Sequence, residues 1–111
     1  MSDADVHEAI VYEVTLFVDA AIAPEFAAWL DTHVRDILAL PGFTGAEILR
    51  RREPVADVGE VVFCTQYRLR DDAAFAAYLR DHAPAMRAEG IARFGGRFRA
   101  ERRVLSPIKA Y

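Results

Sequence analysis

Apolar residues recur along the chain with two different periods, and each change of period marks an element. Ile10 to Val18, IVYEVTLFV, is a β-branched and aromatic run of strand length. After it, Pro24 suits the first turn of a helix, and Glu25 beside it complements the helix dipole. At about 100° per residue, Phe26, Trp29, Leu30, His33, Ile37 and Leu40 share one stripe, with His33 near its middle. Pro41-Gly42 ends that helix. Phe43 to Arg52 reads as a second strand, Glu53 to Gly59 as a polar loop, and Glu60 to Leu69, EVVFCTQYRL, as a third strand. Asp71 or Asp72 can cap the next helix, on which Phe75, Leu79, His82 and Met86 share a face flanked by Tyr78. Pro84 bends or restarts it, because proline lacks the amide proton a helix interior needs. Gly95-Gly96 stops it, Phe98 to Leu105 is a fourth strand, and Pro107 closes the regular part.

The order is β-α-β-β-α-β, a split β-α-β fold of class α+β with a four-stranded antiparallel sheet. One domain is expected over residues 10–106, between an acidic flexible tail over 1–9 and a C-terminal tail over 107–111. A duplication fits this plan. Phe26 to His33 reads FAAWLDTH and Phe75 to His82 reads FAAYLRDH, with five of eight positions identical. Each half needs a helix that covers the sheet, so the repeat is read mainly as architecture, with the halves related by a local pseudo-twofold. The register that would bring His33 and His82 together, or hold them apart, is not fixed by the repeat.

Alternation along the strands divides the sheet into two faces. Tyr12, Val14, Leu16 and Val18 form the helix-facing set of the first strand, and Val61, Phe63, Thr65, Tyr67 and Leu69 that of the third. The far face then receives Val11, Glu13, Thr15 and Phe17, with Val62, Cys64, Gln66 and Arg68. An open face that is half apolar calls for a cover. A second copy related by a twofold supplies one, so a homodimer with two sheets face to face is expected, with Val11, Glu13, Thr15, Phe17, Val62, Cys64 and Gln66 in its interface. Arg99 or Arg103 would neutralise Glu13 there.

Several stretches together carry a family resemblance: VYEVTLFVD (Val11 to Asp19), WLDTHVRDIL (Trp29 to Leu38), Gly42-Phe43, TQYRL (Thr65 to Leu69), HAPAMR (His82 to Arg87) and RFGGRFRAERRVL (Arg93 to Leu105). Over Ile10 to Leu105 the chain resembles the dimeric α/β-barrel superfamily of ferredoxin-like proteins, and within it a small bacterial family classed as a domain of unknown function. The resemblance implies fold and dimer. It transfers no activity, since one fold hosts many functions.

Composition narrows the chemistry. Hydrophobic residues make up 53% and charged residues 28%, enough for a core and a solvated surface, and the net charge of −3 speaks against a general nucleic-acid binder. Arg93, Arg97, Arg99, Arg102 and Arg103, interleaved with Phe94 and Phe98, look superficially like an RNA-binding face. The aromatic signature of such domains belongs on the third strand, where VVFCTQYRL lacks it, so these arginines are read as solvated or paired with carboxylates. The start MSDADVHEA has no basic segment leading into an apolar one, and no run is long enough to span a bilayer, so neither secretion nor a membrane is expected and the location is read as cytoplasmic. Cys64 is the sole cysteine, which excludes an internal disulfide, and no metal-ligand spacing is present. Gly95-Gly96 lacks the strand-glycine-helix order of a phosphate loop.

The candidate chemistry lies between helices and sheet. Trp29, His33, Tyr78, His82 and Phe94 would line a pocket there, with His33 as the candidate catalytic residue. A histidine on an apolar wall serves as general base, or as the axial haem ligand that related barrels would suggest. It also serves as a buried polar group bonded to a nearby acceptor, and His82 as a helix cap; these plainer roles carry more weight. Trp29 and Tyr78 either gate an aromatic ligand or fill the core. The reading is a protein that binds a small, largely apolar molecule, with no cofactor expected. Its alternatives are a cofactor-independent or haem-using monooxygenase, or a structural dimer with a filled core.

Overall fold

A computed structural model describes residues 8–111, so residues 1–7 of the expected N-terminal tail lie outside the described residues. Four strands, β1 (Ile10–Asp19), β2 (Phe43–Arg50), β3 (Glu60–Leu69) and β4 (Phe98–Leu105), form one antiparallel sheet in the order β2-β3-β1-β4. Helices α1 (Ala23–Leu38), α2 (Asp72–Asp81) and α3 (Ala83–Phe94) cover one face. This is the α+β ferredoxin-like architecture that the pattern implied. β1 is central and pairs with both β3 and β4, which is why its residues are buried on both faces.

The helix-facing residues of the strands meet the helices as alternation requires. Tyr12, Val14, Leu16, Val18, Tyr67 and Leu69 are buried in one core with Phe26, Leu30, Val34 and Ile37 of α1. Pro24 does occupy the first turn of α1, with Glu25 beside it. The stripe is nevertheless centred one step away from its expected axis. Val34 takes a sheet-facing seat, so His33 moves from the middle of the stripe to its edge beside Trp29, both half-buried on the side of α3.

The second helix restarts instead of bending. The Asp71 carboxylate accepts from the Ala74 N–H at 2.8 Å and caps α2. His82 ends α2 with its N–H bonded to the Tyr78 carbonyl, and Pro84 lies in the first turn of α3. The duplicated octapeptides therefore sit differently. Phe26 and Leu30 are buried in α1, whereas α2 buries Ala74 and Tyr78 and leaves Leu79 39% exposed. The buried pair is displaced by one residue, a roll of about 100°. Ala74 causes it by packing on the turn at Gly42, whose φ of +88° leaves its backbone open to close approach.

Glu13, on the far face, is 5% exposed and held by Gln66 at 2.8 Å and Arg103 at 2.7 Å. Burial would raise its carboxyl, but the bonds from Gln66 and Arg103 outweigh that and hold it below the usual carboxylate range. Arg103 is thus the neutralising partner. The two large apolar residues of this face are already covered within the chain. Phe17 lies beneath the guanidinium groups of Arg99 and Arg51, at 3.7 and 5.4 Å from its ring centroid. Val62 is 2% exposed, beside the loop that carries Val55 and Ala56. β2 ends at Arg50, not Arg52: the Arg51 N–H still bonds the Val62 carbonyl of β3 at 3.0 Å, but its side chain bonds the Pro54 carbonyl at 3.0 Å and the chain then leaves into that loop.

Candidate functional site

Between the sheet and α1, α2 and α3 lies a cavity of about 190 Å³. Val14 and Leu16 of β1 form its floor with Phe98 of β4, while Leu30 and Ile37 of α1 and Met86 and Ile91 of α3 form the sides. Gly90 of α3 lets the Trp29 and Phe98 rings pack directly on its backbone at the cavity wall: a Cβ there would stand 3.1 Å from both.

Of the residues expected to line a pocket, Trp29, His33 and Tyr78 line this one. Phe94 stands behind Trp29, with ring centroids 5.5 Å apart, and is not in the wall. His82 lies at the junction of α2 and α3, away from the cavity, and makes no side-chain cap. The two histidines are not brought to a shared site: His33 lines the cavity, whereas His82 sits at the break between α2 and α3, outside it.

His33 stacks on Trp29 at 4.4 Å and 21°. Its Nδ1 bonds Glu89 Oε2 of α3 at 3.2 Å. Burial pushes the imidazole below its ordinary range, and the Glu89 and Asp36 charges oppose this without overcoming it. A neutral His33 bonded to an ionised carboxylate must donate through Nδ1, since the carboxylate only accepts, so the lone pair resides on Nε2.

Residues outside the sequence-based set complete the site. The Tyr12 hydroxyl accepts from Arg102 Nε at 3.0 Å and from Arg87 Nη2 at 3.2 Å, joining β4 and α3 across the cavity. Tyr12 also packs against Tyr78 and Tyr67 at 6.0 Å. Burial, the leading cause, pushes the Tyr78 phenol up to about 12, so it stays protonated. The Thr65 hydroxyl donates to the Val14 carbonyl at 3.3 Å. Arg102 was legible in principle: Phe98, Ala100 and Arg102 alternate onto the helix face. Arg87 and Glu89 were not, because the phase of a helix does not carry through a break at proline.

The cavity does not fit haem. A porphyrin macrocycle is far larger than about 190 Å³, and the histidine that would bind its iron lies flat on Trp29. Among the described residues, no group of three or more His, Cys, Asp or Glu side chains is placed to hold a metal ion. Cys64 lies on the far face, where burial and the Glu13 charge raise its thiol.

Comparison with known proteins adds family and fold. The model of a domain of unknown function, DUF4286, matches residues 9–108. The chain belongs to this family. Among curated proteins, none matches the DUF4286 chain. Among solved structures, SnoaB, a cofactor-independent oxygenase from Streptomyces nogalater, is similar at 14% identity, with a TM-score of 0.67 over 93% of this chain and 96% of that one. A dabb family protein with a ferredoxin-like fold from Mesorhizobium loti is similar at 19% identity and TM-score 0.63, over 92% and 100%. The de novo designed protein Foldit4 is similar at 14% identity and TM-score 0.61, over 89% and 98%. A design standing beside an oxygenase shows that likeness at this level reports the fold. No helix among the described residues is long and apolar enough to cross a membrane.

Proposed function

We propose that this DUF4286 chain binds a small, largely apolar aromatic molecule in the cavity between sheet and helices, and does so as a homodimer. The observation that carries the reading is the cavity itself, walled by the stacked Trp29 and His33 on one side and the Tyr12 and Tyr78 rings on another. Its volume of about 190 Å³ suits a single substituted ring, since an apolar cavity of about 150 Å³ takes benzene. The dimer would pack the far faces together around Val11, Thr15 and Cys64, which a single chain leaves half-buried. Phe17 and Val62 would enter it already covered by their own chain.

The arrangement of His33 favours a second reading, a cofactor-independent monooxygenase. Its Nε2 would take an acidic proton from the ligand, leaving an electron-rich carbanion that can pass electrons to dioxygen, and the Glu89 carboxylate would stabilise the imidazolium formed.

Thermal melts of the wild type and His33→Leu against small aromatic compounds test the first reading. A compound at a hundred times its Kd adds about 2.7 kcal/mol, a rise on the order of 10 °C for a domain of this size. For a site histidine, the variant keeps its melting temperature while binding weakens at least tenfold. If no compound shifts the wild type and His33→Leu unfolds it, His33 is a structural group and the ligand reading fails. Consumption of dioxygen with a bound phenol or enol, lost in His33→Leu, separates the oxygenase from the simple binder.

A further inference from the structure

We propose that the ligand is an anion, an aromatic ring bearing one ionised oxygen group, and that Arg87 and Arg102 bind that group. This rests on the reading of the cavity as an aromatic site and names the class of molecule it takes.

The two guanidinium groups come from different elements, α3 and β4, and converge on one neutral oxygen, the Tyr12 hydroxyl. Among the described residues neither has a carboxylate partner, whereas Arg97, Arg99 and Arg103 of the neighbouring segment bond Asp19, Glu101 and Glu13 at 2.7–3.2 Å. The nearby carboxylate of α3, Glu89, bonds His33 instead. Two like charges drawn to one phenol at the edge of an apolar cavity repel each other, and an anion relieves that repulsion where a neutral ligand does not. Each guanidinium spends one N–H group on Tyr12 and retains others in the forked array that suits a carboxylate or phenolate. The chain carries a net charge of −3, so this pair is a local reversal of sign and not part of a general basic surface.

The carboxylate and the phenolate share this chemistry, and the assay separates them. The protein has one tryptophan, so the indole N–H resonance of Trp29 reports the cavity alone. It is followed in NMR titrations with benzoate, with its neutral isostere benzamide, and with 4-nitrophenol, whose ionisation is visible by absorbance. The expected result is that benzoate binds at least tenfold more tightly than benzamide, or that bound 4-nitrophenol ionises at lower pH than free; the first identifies a carboxylate, the second a phenolate. In Arg87→Gln/Arg102→Gln the preference for benzoate over benzamide disappears. Both arginines are exposed as residues, and should the double variant fail to fold, the wild-type ratio still decides. Equal binding of benzoate and benzamide, with no change in nitrophenol ionisation, overturns the anion and leaves the aromatic site standing. A preference that persists in the folded double variant also overturns it. If no compound moves the Trp29 resonance, the site reading falls and the anion with it.

Discussion

Replacing Gly42 with alanine tests how α2 is seated, and through that seat the position of Tyr78 in the cavity wall. Gly42 has φ +88°, and a Cβ built there would lie 2.5 Å from the Cβ of Ala74. A residue with a Cβ in left-handed backbone costs about 1–2 kcal/mol, and overpacking adds about 1–3 kcal/mol. The less flexible unfolded chain returns about 0.4–1 kcal/mol. The net expectation is a loss of about 3 kcal/mol, a large share of a typical domain's stability of about 5–15 kcal/mol. Ala74→Gly alone should lose about 2 kcal/mol, from helix propensity and one buried methyl group. The double variant removes the overlap but keeps the backbone strain, so it should be less destabilised than the sum of the two by about 2 kcal/mol. Urea denaturation followed by far-ultraviolet circular dichroism gives all four corners of the cycle. Additivity within about 0.5 kcal/mol would refute the Gly42–Ala74 contact, and a Gly42→Ala loss below about 1 kcal/mol would refute the left-handed turn.

Three further outcomes are expected. Glu89→Gln removes the charge that holds the His33 pKa up, so an NMR titration of the His33 ring should show it falling further below its ordinary value; an unchanged titration breaks the pairing. Because the folded-state pKa of His33 lies below its unfolded value of 6.5, the unfolded chain binds more protons just below that pH, and this contribution to stability is lost as pH falls from about 6.5 toward the lowered value. His33→Leu should flatten that part of the pH–stability curve, and an unaltered slope would count against a buried neutral imidazole. Val11→Asp puts a carboxylate into the half-buried patch assigned to the dimer, and sedimentation should show a wild-type dimer and a dissociated or aggregated variant; a wild type that stays monomeric at high concentration removes the dimer.

What the sequence made legible followed from local periods. The alternation in β1 and β3 sorted Tyr12, Val14 and Thr65 from Glu13 and Gln66, and the structure holds each on its assigned face. The octapeptide led to Trp29, His33 and Tyr78 beside the cavity, though for an incomplete reason. A repeat of residue types does not fix helix roll, and a tertiary contact at Ala74 exposed Leu79 where its counterpart Leu30 is buried. Arg102 was passed over because an arginine on a strand is usually solvated, yet its register opposite Val14 brings it to the helix face. The covering of Phe17 was legible only in half: Arg99 stands opposite it on β4, whereas Arg51 comes from a loop whose path leaves no periodic trace.

The most direct measurement is a crystal structure of the protein soaked with bromobenzene, read by the anomalous scattering of bromine. The account predicts a peak inside the cavity among Trp29, His33 and Tyr78, with the ring against the indole. Well-ordered crystals with bromine only at the surface, or none at all while Trp29 keeps its place, would contradict it.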